Sequence, residues 1–147
     1  MKKNSRLTWW IPTLLYLAGC SSQAPSNLGV HDGRLAPCPG TPNCVGSEYP
    51  DSPDWIAPLT FTDSPPQAWA RLQDRVQAQG GQIETRTDAY LWATYRSRLF
   101  RFIDDVEFRL DSDAQRIQVR SASRLGYSDL GVNRKRIETL RSLFAGE

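Results

Sequence analysis

A chain of 147 residues with 39% apolar and 23% charged side chains is long enough for one modest domain with its own core, and too apolar to be disordered. The formal charge of +2 is misleading, because Lys2, Lys3 and Arg6 stand ahead of an apolar run, and from residue 20 onward 15 basic side chains face 16 acidic ones. That near-neutral balance excludes a general polyanion binder, so nucleic acid is not an expected partner.

The apolar run, residues 7–18, is interrupted by Pro12 and follows the three cations as the apolar region of a secretory signal does. It falls short of the roughly 20 residues that a membrane span needs. It closes with Leu17-Ala18-Gly19-Cys20, which resembles the lipobox of bacterial lipoproteins. The resemblance implies that residues 1–19 are a signal peptide, that cleavage precedes Cys20, and that lipid, palmitate included, is attached there and becomes the link to a membrane. Several acyl chains make a stable anchor where one is marginal. The competing reading is an uncleaved N-terminal anchor with an incidental cysteine. Ser21 and Ser22 stand where the family's sorting rule puts an aspartate to hold lipoproteins at the inner membrane. The expected location is therefore the cell envelope, at the outer membrane facing the periplasm in a Gram-negative cell.

Residues 20–33 are rich in Ser, Pro, Gly and Asn, and read as a flexible tether with a reach of roughly 20 Å. A single domain is expected over residues 34–147. In an exported chain Cys38 and Cys44 are most simply a disulfide, which stabilises by about 2 kcal/mol in the chain-entropy picture. A zinc site would lack a second cysteine pair, since His31 is the one histidine, and the spacing is not the C-x-x-C of redox motifs.

Residues 55–61 have β-rich composition despite Pro58, and suit a short or edge strand. Ser64-Pro65-Pro66-Gln67 reads as a capping box with proline at the first helical position. Ala68, Trp69, Leu72 and Val76 recur at helical spacing until Gly80-Gly81 stops the helix. Trp69 belongs to the core on this reading. Strands follow at residues 82–86, 90–96, 101–111 and 115–121. Leu91, Ala93 and Tyr95 oppose Tyr90, Trp92 and Thr94; Val106, Phe108 and Leu110 oppose Asp105, Glu107 and Arg109; Ile117 and Val119 oppose Arg116, Gln118 and Arg120. Alternation with short links predicts an α+β fold: an antiparallel meander of four to five strands with one wet face and two helices. The apolar stripe of Ile137, Leu140 and Phe144 places the C-terminal helix on the dry face.

The stretch 120–141 joins the last strand to that helix. Asn133 suits the N-cap, with Val132 and Ile137 as a hydrophobic staple. Arg134, Lys135 and Arg136 then occupy the first turn, where the helix dipole is already positive, at a cost of about 0.3–1 kcal/mol each if exposed. Negative partners are expected to compensate, from protein carboxylates or from a ligand. The surrounding charge fits this: residues 116–141 hold seven basic residues against Asp129 and Glu138, while residues 32–63 hold Arg34 against five acids.

PCPGTPNCVGS, FRFIDDVEFRLD and RSASRLGYSDLGVNRKRI, in that order, are similar to the bacterial domain-of-unknown-function family numbered 1499. The matching positions are Cys38, Asn43, Cys44, Asp104, Asp105, Arg120, Ser121, Ser123, Gly126, Asp129, Gly131, Asn133 and Arg134. The resemblance implies a small α+β domain, often attached to a lipoprotein signal or a membrane segment, and carries over no reaction.

The candidate site gathers Asp104, Asp105, Arg120, Ser121, Ser123, Arg124, Asp129, Asn133, Arg134 and Arg136. Two readings stand: a mutual Asp/Arg network that fixes the turn before the last helix, and an anion pocket of arginine forks and helix amides for a phosphate or carboxylate. No cofactor is expected. Asp104, Asp105 and Asp129 would suit a hard cation, but the neighbouring arginines oppose a metal. A nucleophile–base hydrolase would need a histidine near a Ser or Cys, and His31 lies in the tether. The functional expectation is a non-catalytic envelope lipoprotein whose basic end engages an anionic envelope component. A small hydrolase using an Asp/Arg site is the alternative.

Overall fold

The computed structural model describes residues 23–97 and 101–146. The segment expected to be a signal peptide, residues 1–19, and the expected lipid site Cys20 lie outside these residues.

In chain order the elements are β1 (Val30–His31), β2 (Arg34–Leu35), β3 (Cys44–Gly46), β4 (Leu59–Thr60), α1 (Pro65–Ala78), β5 (Gln82–Arg86), β6 (Tyr90–Arg96), β7 (Ile103–Asp111), β8 (Arg116–Ser123) and α2 (Val132–Ala145). Strands β5 to β8 form the expected antiparallel meander, with a bulge in β5. The outer edge of β8 is shared by two short strands: β3 pairs along Arg120–Ala122, and β4 along Arg116–Ile117. The main sheet thus has six strands, and β1–β2 is a separate hairpin.

The first strand and the turn of this hairpin lie in the segment read as the end of the tether. Its two-residue turn, Asp32-Gly33, has positive φ at both positions, as a type I′ turn requires. The folded unit therefore begins before Arg34.

Both helices lie on one face of the sheet. The α1 cap is the expected box, with the Ser64 amide and hydroxyl both donating to Gln67 Oε1, and Pro at the first helical position. Ala68, Trp69, Leu72 and Val76 from α1 and Ile137, Leu140 and Phe144 from α2 bury against Leu91, Ala93, Tyr95, Val106, Phe108, Ile117 and Val119. Apolar burial of this kind contributes about 1.5–3 kcal/mol per large side chain and is the main force holding the layers together. The strand expected over residues 55–61 shrinks to Leu59–Thr60. Pro58 has no amide to give a ladder, and the carbonyls of Ala57 and Pro58 instead accept from Arg141 of α2, at 2.6 Å each.

The opposite face is not wet. Asp105, Glu107, Gln118 and Arg120 are all buried there, because the segment from Gly29 through Ser47 and Glu48 crosses over them. Gly29 N donates to Glu107 Oε1 at 2.7 Å, Ser47 Oγ donates to Gln118 Oε1 at 2.5 Å, and Arg109 Nε donates to Glu48 Oε1 at 2.8 Å.

Candidate functional site

Successive residues of a strand point to opposite faces, so Asp104 and Asp105 cannot share one site. The structure divides the residues singled out above into two clusters, one on each side of β7 and β8.

On the helix side, Asn133 is the hub. It is 1% exposed and lies inside α2, one residue past Val132. Its Oδ1 accepts from Ser121 Oγ at 2.5 Å and from Arg136 Nη1 at 2.6 Å. Its Nδ2 donates to Asn43 O at 3.1 Å, Ser123 Oγ at 3.0 Å and Asp129 Oδ2 at 2.8 Å. Asn133 is therefore not the N-cap. Gly131 holds that position with φ 80°, a conformation that suits glycine, and the Asp129 carboxylate accepts from the amides of Gly131 at 2.9 Å and Asn133 at 2.7 Å. The staple does not form, since Val132 is half exposed while Ile137 is buried.

Two of the three misplaced cations, Arg136 and Arg134, find partners in the protein, while Lys135 is exposed. Arg136 Nη2 donates to Asp104 Oδ2 at 2.5 Å, Nη1 also reaches Ser121 Oγ at 3.2 Å, and the guanidinium lies over the Tyr95 ring, 4.7 Å from its centroid. Burial pushes the Tyr95 phenol up to about 12, although the Arg136 charge pulls the other way. Arg134 is exposed and donates to Trp55 O at 3.1 Å. Anionic compensation at the start of α2 thus comes from Asp129 and Asp104, and the Gly131 and Asn133 amides are occupied by the Asp129 carboxylate rather than open to a ligand.

On the other side, Arg124 forks onto Asp105, with Nε to Oδ2 and Nη2 to Oδ1 both at 2.8 Å. These bonds raise the Arg124 pKa further above its ordinary value. Trp92 Nε1 donates to Asp105 Oδ1 at 2.9 Å. Next along the sheet, Glu107 is fully buried and pairs through Oε2 with Arg120 Nη1 at 3.0 Å. Its Oε1 accepts from Tyr90 Oη at 2.9 Å as well as from Gly29 N. Burial pushes the Tyr90 phenol well above its usual range, and the Glu107 charge adds to the shift.

Arg120 is 4% exposed, yet among the described residues its Nε has no hydrogen-bond partner. A buried donor left unpaired costs about 1–3 kcal/mol. The side chain lines a cavity of about 260 Å³ together with Pro25, Asn43, Ser123, Arg124 and Gly126. The wall opposite β8 comes from the loop closed by the Cys38–Cys44 disulfide, whose Cα atoms are 5.7 Å apart. Within that loop Thr41 Oγ1 donates to Asn43 Oδ1 at 2.6 Å, and Asn43 Nδ2 ties the loop to Gly126 O at 2.7 Å. The bridge therefore fixes one side of the cavity as well as restricting the unfolded chain.

The candidates are thus Asp104, Ser121, Asp129, Asn133 and Arg136 in a structural junction; Asp105, Arg120, Ser123 and Arg124 at the cavity; and Arg134 outside both. Sequence reasoning missed Glu107 and Tyr90, which it placed on a solvated face. The signal was present: counting outward from the Asp111–Arg116 hairpin sets Glu107 opposite Arg120. Among the described residues no three His, Cys, Asp or Glu side chains gather as a metal site.

A family model described as "Protein of unknown function (DUF1499)" matches residues 34–144. A comparison with curated proteins finds no match. The match spans most of the chain, which belongs to this family.

Proposed function

We propose that this family member is a lipid-anchored envelope lipoprotein whose domain is a non-catalytic binding module, holding a small anionic group of an envelope component at Arg120. The observation that carries the reading is the buried Arg120 side chain, which lines a cavity and whose Nε has no hydrogen-bond partner among the described residues. Guanidinium presents its donors as a fork that matches a carboxylate or phosphate. The Arg120–Glu107 and Arg124–Asp105 pairs leave the wall neutral overall, so it suits one monoanionic acceptor, a carboxylate or a phosphodiester, rather than a dense polyanion. Thr41 and Ser123 also line the cavity, with their hydroxyls engaged by Asn43 and Asn133.

A carboxylate-pair hydrolase gains no support from Asp105 and Asp129. The first carboxylate accepts from Arg124 and Trp92, and the second caps α2, so both are engaged in holding the fold. The lipid anchor is supported by the Leu17-Ala18-Gly19-Cys20 box alone.

The test is native mass spectrometry of the full chain purified from its own envelope, compared with Arg120→Lys. Lysine keeps a charge opposite Glu107 but loses the Nε donor and the fork. A small anionic adduct on the wild type that is lost from the variant is the expected result. No adduct, or the same adduct on both proteins, overturns the binding site. For the anchor, Cys20→Ser should release the protein from membranes, and retention without lipid overturns that part.

A further inference from the structure

Phe102, Leu125, Tyr127, Leu130 and Val132 are large apolar side chains in solvent, and all five sit at one end of the fold. Phe102 leads into β7, whose first residue Ile103 receives the Arg124 amide, and the other four lie on the β8–α2 connection or at its exit into α2. Leu130 is the extreme case, 95% exposed with φ +55°, a left-handed conformation that branched and bulky side chains avoid. Hydrogen bonds hold it there: its own amide donates to Ser128 Oγ, and the Gly131 amide donates to Asp129 Oδ1. The loop is therefore fixed in shape while its apolar side chains stay about half exposed or more among the described residues. The same end presents exposed Arg96, Arg101, Arg134 and Lys135, whereas Asp104 and Asp105 are buried in ion pairs and Asp129 caps α2.

The course of the chain says what covers this surface. Pro25 lines the same cavity as Arg124 and Gly126, so the N-terminal segment arrives beside the β8–α2 connection. Four residues lie between Cys20 and Pro25, and the five steps along the chain reach at most about 18 Å. An acyl chain on Cys20 would hold this end of the domain, and not the Asp111–Arg116 turn at the far end of the sheet, against the bilayer. Apolar side chains rimmed by cations match the boundary between acyl chains and anionic headgroups.

We infer that the 125–132 loop is a membrane-docking surface, with Leu125, Tyr127, Leu130 and Val132 entering the interfacial layer and the neighbouring cations meeting anionic lipid headgroups. This rests on the reading of Cys20 as the lipid anchor. Docking would set the Arg120 cavity at the membrane surface, facing the headgroup layer.

The experiment uses the full chain with Leu130→Cys carrying an environment-sensitive thiol label, reconstituted in vesicles of phosphatidylethanolamine and phosphatidylglycerol. Asp113→Cys, in the β7–β8 turn, carries the same label as the control. The lipid state of Cys20 is read from the intact mass. The expected result is a lipidated protein whose label at position 130 shifts to the blue and is quenched by spin-labelled lipid, while the label at 113 does neither. A lipidated protein with both labels in water overturns the docking and leaves the anchor standing. Protection at 130 that appears in whole envelopes but not in vesicles points to a protein partner, and overturns it equally. A chain without lipid on Cys20 overturns the anchor and the docking together.

Discussion

Arg136 is the cation that the sequence places most awkwardly, and the structure predicts that it acts on stability rather than on binding. The perturbation is Arg136→Met, which keeps an unbranched apolar stem and removes the guanidinium and its charge. It deletes the bonds to Asp104, Asn133 and Ser121 and the contact over the Tyr95 ring. Ser121 and Asn133 still bond to each other, so the main loss falls on Asp104, which is 6% exposed and has no other side-chain partner among the described residues. Removing one member of a buried pair costs about 3–5 kcal/mol, because the other charge is left uncompensated. For a domain of this size that corresponds to a fall in Tm of roughly 10–20 °C. Adding Asp104→Asn removes the stranded charge, so the double variant should be more stable than Arg136→Met alone. Thermal unfolding followed by circular dichroism measures all three. A loss below about 1 kcal/mol in the single variant, or no recovery in the double, would refute the reasoning and return Arg136 to the list of ligand-binding groups.

Leu130→Asn should raise stability by about 0.5–1 kcal/mol, since asparagine tolerates the left-handed region and a leucine 95% in solvent loses no burial. Destabilisation in urea titrations would show that the side chain packs against something. Stability should fall as pH climbs past the ordinary tyrosine value near 10: both Tyr90 and Tyr95 have raised native pKa values, so the unfolded state loses its protons first. For Tyr95 that contribution is intact below about 10 and is lost as pH approaches about 12. Tyr95→Phe should flatten this part of the pH profile, and an unchanged slope would contradict the burial argument. Asn133→Ala should cost about 3–5 kcal/mol, because it deletes five side-chain bonds at the junction; a near-neutral result would mean the junction is not what seats α2.

The meander, both helices and the α1 cap were legible because each follows from local periodicity or from a cap motif confined to a few residues. Tyr90–Arg96 and Gln82–Arg86 fall on the expected residues. What misled was the assumption that alternating polar residues face water. Asp105, Glu107 and Arg120 alternate as a solvated face does, yet the segment around Gly29–Glu48 covers them, and nothing local in β7 or β8 records a chain arriving from 60–80 residues away. The Asp32-Gly33 pair was a readable hairpin signal that the low-complexity look of its neighbours hid. The capping error at α2 has a different origin. Asn133 has the chemistry of a cap, but its amide reaches Ser121, Arg136, Asn43 and Ser123 inward, which leaves the capping to Asp129 two residues before the N-cap.

The most direct measurement of the central claim is the Arg120 Nε–H resonance in a nitrogen-15 spectrum of the protein, titrated with acetate and then with inorganic phosphate. A donor that awaits an anion should shift saturably on titration, with Arg124 responding beside it and the Arg136 signal unmoved, since that guanidinium is engaged by Asp104, Asn133 and Ser121. An Arg120 resonance that ignores both anions, while Arg134 and Lys135 at the surface drift in proportion to salt, would contradict the account and make the buried guanidinium a structural partner of Glu107 alone.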